Sequence, residues 1–308
     1  MLGANVARGG LGAAGALVVA VLVGAIPAQG AGNGSTLSPR AAGPTGVTPT
    51  PTDTTTASPT PTPTETPTPT PTTTTPPVTG FLPDLIALPA DELSVQVRKD
   101  GHRLRFSSSL GNTGDGPIEV RPNNLLPCPE GQHNSTQILY VDGNADGRYN
   151  PKQDTAFVRH RAGCMVYHPL HHHWHFKASA RYTLRTPVAE GQTEGVVVSA
   201  RRKVSFCLRD TARVPVQYGL FDYGLAYGRC TKRSPQGISI GWMDIYQSFL
   251  AGQALRLPDD LPNGLYCLET VVDPIDQLVE TNNDNNSSVR ALRIHGTKVV
   301  ERPTALCL

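Results

Sequence analysis

Between residues 81 and 308 the apolar positions recur at every second residue in short runs. Leu93-Ser94-Val95-Gln96-Val97-Arg98 alternates, and so does Arg103-Leu104-Arg105-Phe106-Ser107. Strand-like runs follow at 118–120, 137–141, 181–184, 195–200, 203–208, 265–272 and 289–294. A period of two sends successive side chains to opposite faces, so such runs predict half-buried strands. Turn signals lie between them: Asp100-Gly101, Asp115-Gly116, Asp146-Gly147 and Pro262-Asn263-Gly264. Long helical periodicity is nearly absent, and 243–255 is the best candidate for a short helix or turn. Short strands with frequent turns predict an all-β fold. The expected architecture is an antiparallel β-sandwich-like domain with long loops and few short helices.

The first 80 residues have a different pattern. Arg8 precedes an apolar run of roughly sixteen residues, 11–26, too short for a comfortable membrane span. Small residues follow at 27–31, so residues 1–30 are expected to be an export signal. Residues 31–80 have almost nothing apolar to bury, and 48–77 is mostly alternating Pro and Thr. Such composition favours extended polyproline II and predicts a disordered, semi-rigid linker. Residues 81–308 are then one domain with its own core. The linker accounts for the low hydrophobic fraction of 38%. A formal net charge of +2 argues against a dedicated nucleic-acid binder. Six cysteines match three disulfides in a chain that leaves the cytoplasm. The expected location is extracellular or at the cell envelope, with no membrane insertion of the mature domain.

Four of nine histidines fall within His171-His172-His173-Trp174-His175, and His168 lies just upstream. On an extended segment, rising roughly 3.3 Å per residue, His171, His173 and His175 share one face. His172 and Trp174 share the other. Three imidazoles on one face can converge on copper, zinc, iron or nickel. A plain solvated polar strand is the alternative. Three more segments carry chemistry: Lys203-Val204-Ser205-Phe206-Cys207-Leu208-Arg209-Asp210-Thr211, Gly241-Trp242-Met243-Asp244-Ile245-Tyr246, and the oxygen-rich run 273–286. Alternation puts Val204, Phe206 and Leu208 toward the core and Lys203, Ser205 and Cys207 on the opposite face.

In this order, H-x-H-x-H, K-x-S-F-C-L-x-D-T, S-x-G-x-x-D-x-Y, P-N-G-x-Y and E-x-x-x-x-N-N, the chain resembles the catalytic domain of the lysyl oxidases over roughly residues 81–295. The resemblance implies that His171, His173 and His175 bind Cu(II). It implies that Lys203 and Tyr246 cross-link into a lysine tyrosylquinone. That cofactor would take electrons from a primary amine, either peptidyl lysine or a small amine, and pass them to dioxygen. Aldehyde, ammonia and hydrogen peroxide would be the products. Asp244, two residues before Tyr246, is the candidate base; a turn aspartate is the plainer reading. The animal enzymes have a cysteine where Trp242 stands, a proline at Ile240, and a histidine near Arg181-Tyr182, so the proton-transfer role of that histidine does not carry over.

The resemblance also implies a calcium site between Asp84-Leu85 and the 273–286 run, with Glu280, Asn282, Asn285 and Asn286 as its matching positions. Hard oxygen donors suit that ion. Separately, Asp142, Asn144 and Asp146 match the first half of an EF-hand loop with Gly147 at the turn, although Gln153 stands at the twelfth position. A hairpin loop explains the same residues. Six cysteines allow fifteen pairings. Cys207–Cys230 is expected because it would tie the Lys203 strand to the loop leading toward Tyr246; Cys128–Cys164 and Cys267–Cys307 are the remainder. Two other functions stay open. One is a non-catalytic copper- or calcium-binding sandwich for adhesion or metal handling. The other is a zinc hydrolase, which lacks an H-E-x-x-H helix.

Overall fold

A computed structural model describes residues 80–307, apart from 125 and 126 and the side chains of 178 and 202–204. The expected export signal and the linker up to residue 79 lie outside the described residues. The chain runs through β1 (Leu85–Arg98), β2 (Gly101–Asn112), β3 (Ile118–Asn123), β4 (His133–Tyr140), β5 (Phe157–His168), β6 (His173–Arg185) and β7 (Val197–Phe206). It continues through β8 (Ala212–Arg213), β9 (Gln236–Ile238), β10 (Trp242–Tyr246), β11 (Ala254–Arg256), β12 (Gly264–Val272), β13 (Ser287–His295) and β14 (Lys298–Arg302). The helical content among the described residues is two 3-10 turns, Val216–Tyr218 and Thr304–Leu306. The all-β expectation holds.

The strands form two antiparallel sheets. One has the order β1-β2-β10-β8, with β11 also on β2. The other has the order β14-β13-β12-β6-β5-β4-β3-β9, with β7 also on β6. Strand β6 is the hinge of the larger sheet. Its first residues pair with β5, from His168↔His173 to Met165↔Phe176. Its last residues pair with β12, from Val272↔Ala180 to Cys267↔Arg185. An irregularity between Lys177 and Ala180 separates the two halves, and the Ser179 hydroxyl donates to the Phe176 carbonyl there. Such a bulge bends the strand and re-aims what precedes it.

The sheets meet through aromatic and aliphatic side chains that the alternation had turned inward. Phe106 of β2 and Tyr182 of β6 stand edge to face, with centroids 4.8 Å apart. The Tyr182 hydroxyl lies 2.6 Å from Ser108 Oγ, and Gln253 donates to that same oxygen. Leu104, Phe176, Leu184, Phe206, Leu268 and Leu292 complete this core. Each such side chain contributes about 1.5–3 kcal/mol by burial.

Two expectations need correction. Residues 243–255 hold a turn, at 248–252, and no helix: 242–246 is β10, paired with β2 from Met243↔Gly111 to Tyr246↔Ser108, and β11 begins at Ala254. Pairing with a strand more than a hundred residues away overrides the weak local signal. The runs 195–200 and 203–208 are not separate strands, since β7 spans Val197–Phe206 continuously against β6. The disulfides are Cys128–Cys164, Cys207–Cys230 and Cys267–Cys307, as expected.

Candidate metal and quinone site

The tract containing the histidines is a turn followed by a strand. Strand β5 ends at His168 and β6 starts at His173. The His171 N–H donates to the His168 carbonyl, and His172 sits at φ +56°. His171 therefore projects from the tight turn, and only His173 and His175 alternate along the strand. This corrects the expectation of one extended H-x-H-x-H face. The turn still brings the third ring into the cluster. His175 Nε2 lies 3.0 Å from His173 Nε2 and 3.3 Å from His171 Nδ1. One nitrogen from each ring lies within 4.8 Å of the others. His175 is oriented through its other nitrogen, which lies 3.2 Å from Ser205 Oγ on β7. Burial, and then the neighbouring His171, push the His173 imidazole below its usual range, which keeps a lone pair available. His172 is exposed at the turn, while Trp174 is buried and its Nε1–H donates to the Lys232 carbonyl.

Tyr246 and Asp244 come from the other sheet. They share a face of β10, two residues apart, and line the same cleft of about 630 Å³ as the three histidines. The Tyr246 hydroxyl donates to the Cys207 carbonyl at 2.7 Å, and its ring lies against Phe206. Asp244 is 2% exposed and accepts the Arg209 N–H. Burial raises its carboxyl to about 8, against the stabilising pull of the Tyr246 hydroxyl and of Arg209. Burial also raises the Tyr246 phenol, with the adjacent Asp244 adding to it. The backbone of Lys203 lies on β7 opposite Ala180 of β6, two positions before Ser205. Its side chain lies outside the described residues.

The remaining motif letters are scaffold. Asp210 is buried and accepts the N–H groups of Ala226, Tyr227 and Ser239 together with the Ser239 hydroxyl. The Thr211 hydroxyl donates to the Met243 carbonyl and accepts the Ile245 N–H, pinning β10. Gly241 has φ +74°, and a Cβ there would meet Phe221 at 2.2 Å. Only glycine fits that close approach. Trp242 ties β10 to the preceding loop through its Nε1–H on the Tyr223 carbonyl and the Arg213 guanidinium over its ring. Cys207–Cys230 anchors the same loop beside the cleft. Sequence pattern did not point to Ser205 as the orienting partner of His175, nor to Arg201 and Arg209, which also line the cleft. The K-x-S spacing is the signal that could have found Ser205.

The oxygen-rich run folds back onto the start of the domain. Glu280 accepts the Leu85 N–H at 2.7 Å and the Asn286 amide at 2.7 Å. Asn285 donates to Asp84 Oδ1. The side-chain oxygens of Asn285 and Asn286 are buried without hydrogen-bond partners. Burial raises the Glu280 carboxyl to about 7, and Asp273 and Asp84 add to that shift. Buried orphan oxygens beside two carboxylates fit a hard cation. Asn282 is exposed, and its side-chain oxygen caps the Asp284 N–H. The 142–154 loop joins β4 to β5, as a hairpin. There Asp142 Oδ2 accepts the Gly147 N–H while Asp142 Oδ1 is buried without a partner. Asn144 and Asp146 hydrogen bond to each other, and Asp154 is fully buried on the Gly143 and Asn150 N–H groups.

The family model for lysyl oxidase matches residues 146–302. Lysyl oxidase homolog 2 of Gallus gallus is 27% identical over 163 residues, covering 52% of this chain and 18% of that protein. Lysyl oxidase homolog 3 of Homo sapiens is 30% identical over 123 residues, covering 40% of this chain and 14% of that protein. Lysyl oxidase homolog 2 of Mus musculus is 25% identical over 193 residues, covering 59% and 23%. The chain thus spans less than a quarter of the length of these relatives.

Proposed function

Because the chain belongs to the lysyl oxidase family, we propose that its cleft oxidises primary amines to aldehydes, with dioxygen as electron acceptor and hydrogen peroxide and ammonia as co-products. Membership supports a copper amine-oxidase-like function in general. The observation that carries the finer reading is the convergence of three imidazole nitrogens in the cleft that Tyr246 and Asp244 also line. That donor set suits Cu(II). A quinone built from Lys203 and Tyr246 supplies the electron sink. The chain's own groups do the rest. Ser205 holds the His175 ring in orientation. The Cys207 carbonyl holds the Tyr246 hydroxyl. Asp244, ionised, takes the proton from the carbon next to the substrate nitrogen. The Arg209 N–H steadies that carboxylate.

Calcium is proposed at Asp84, Leu85, Glu280, Asn285 and Asn286, with Asn282 on the rim. It is proposed also in the 142–154 loop, where Asp154 in place of Gln153 supplies the late carboxylate. The substrate is a peptidyl lysine or a small amine. Three disulfides and the expected export signal support a secreted enzyme.

The test is mass spectrometry of a tryptic digest of full-length protein made with Cu(II) and air, reduced and alkylated beforehand. The Lys203 peptide joined to the Tyr246 peptide is the expected product. Two separate, unmodified peptides from fully copper-loaded protein would sink the oxidase reading and favour a metal-binding sandwich.

A further inference from the structure

The cleft carries charge as well as candidate ligand atoms. Besides the histidines and Tyr246, the ionisable side chains among the described residues lining the cleft are Arg201, Arg209 and Asp244. Both arginines are exposed, and neither forms an ion pair among the described residues, whereas Arg181, Arg185 and Arg290 all do. Asp244 is buried on the Arg209 N–H and is the single carboxyl group set against the two guanidinium groups. The mouth is therefore positive. Arg209 lines the same cleft as the three histidines and Tyr246, and its backbone N–H lies on Asp244. One wall of the cleft is apolar, with Phe249 71% exposed and Leu250 next to it in the chain. That wall is preformed, because the Arg105 guanidinium donates to the Ser248 and Leu250 carbonyls and Glu92 caps the Ser248 N–H.

A cationic mouth is a poor host for a diamine. It is a good host for a chain with an amine at one end and an anion at the other. Guanidinium groups pair with carboxylates in a bidentate fork. A nearby positive charge also lowers the pKa of a substrate amine, favouring the neutral form that can react.

We propose that Arg201 and Arg209 select primary amines that carry a carboxylate several carbons from the reacting nitrogen, with the intervening chain against Phe249 and Leu250. Two sources share this chemistry: free ω-amino carboxylates, and lysine side chains next to Asp or Glu in a peptide. The inference rests on the amine-oxidase reading for its substrate, but not for its anion site.

The first arm needs no turnover. Hexanoate and hexanol are titrated into the metal-free full chain, with the side-chain Nε–H signals of the arginines followed by NMR. Hexanoate is expected to give saturable shifts of Arg209 and Arg201 that disappear in high salt, while hexanol gives none. The Arg201→Gln/Arg209→Gln double variant should lose them, and Arg209→Lys should retain a weaker response. Absence of saturable shifts overturns the proposal. The second arm uses the copper-loaded enzyme and peroxide release. The kcat/KM for 6-aminohexanoate is expected to exceed that for hexylamine by about tenfold, and that for 1,6-diaminohexane by more. The ratio should fall toward unity in the double variant. Blocked Glu-Lys-Glu and Arg-Lys-Arg peptides separate the two sources: a preference for the first peptide assigns a peptidyl substrate, and turnover of 6-aminohexanoate with neither peptide assigns a free one. Equal turnover of 6-aminohexanoate and hexylamine overturns the selection while leaving amine oxidation intact. Arginine-dependent hexanoate binding with every amine inert overturns the oxidase reading and leaves the anion site standing.

Discussion

The histidine cleft and the Glu280 cluster present their candidate ligand atoms in opposite ways. The three imidazoles line an open cleft, with His171 exposed and His173 and His175 half-buried. They are reached from a turn and a strand of one sheet, and Tyr246 arrives from the other. The Glu280 cluster is closed: its amide oxygens are buried and unpartnered, and its carboxylate bonds the backbone at the start of β1. An open donor set leaves room for reacting molecules. A sealed set of hard oxygens ties distant segments together and serves stability. Two metal-like clusters so different in access should respond to different perturbations.

The largest expected break is at the base. Asp244→Asn should lower kcat by roughly 10²–10⁴-fold, the usual weight of a general base. In the native enzyme kcat/KM should rise with pH through about 8, where the carboxyl ionises. A profile between pH 5.5 and 9.5 that keeps this limb in the variant would argue against the assignment. The same shift has a sign for stability. The folded carboxyl binds its proton more tightly than the unfolded one, so stability from this group is full below the ordinary carboxylate range. It is lost as pH rises toward about 8. Urea denaturation at pH 5 and pH 8.5 should show a smaller difference for Asp244→Asn than for the native chain.

Ser205→Ala comes next and acts on the cleft alone. Removing a group that orients a ligating histidine costs about 10–100-fold in metal affinity. Competition for Cu(II) with a chromophoric chelator measures this; an unchanged affinity means that Ser205 does not orient His175.

At the closed cluster, calcium should change melting and not chemistry. Addition at a hundred times its dissociation constant stabilises by about 2.7 kcal/mol. Asn286→Leu should abolish that gain in a thermal melt while leaving copper content unchanged. If calcium raises the melting temperature of this variant as much as that of the native chain, the cluster is not the site.

The smallest effect separates packing from catalysis at Tyr182, which is 0% exposed. Tyr182→Phe removes one hydroxyl bonded to Ser108 and should cost about 0.5–1.5 kcal/mol. Calorimetry gives the cost. A loss of turnover on the scale expected for Asp244→Asn would show instead that Tyr182 takes part in proton transfer.

Alternation alone marked β1, β2, β12 and β13, because half-buried strands must segregate polar and apolar faces. It did not mark the length of β5, whose outward residues 159–161 are Arg-His-Arg and whose apolar partners are few. It misread β10, since five residues are too few to establish a period. The histidine triplet, Lys203, Tyr246 and the Glu280 run were visible because residue type and spacing carry metal and redox chemistry directly.

Local period and motif order were enough for the all-β class, the family and the identity of the chemical groups, whereas the three disulfides, one arrangement among fifteen, are fixed by the fold. Where those groups meet depends on the folded chain. The turn at His172 moves His171 off the strand, and β10 joins the sheet facing the histidines. Asp244 is buried deeply enough to raise its carboxyl, and Arg201 and Arg209 line one mouth. Desolvation and electrostatic reach depend on neighbours far away along the chain, and no local pattern encodes them.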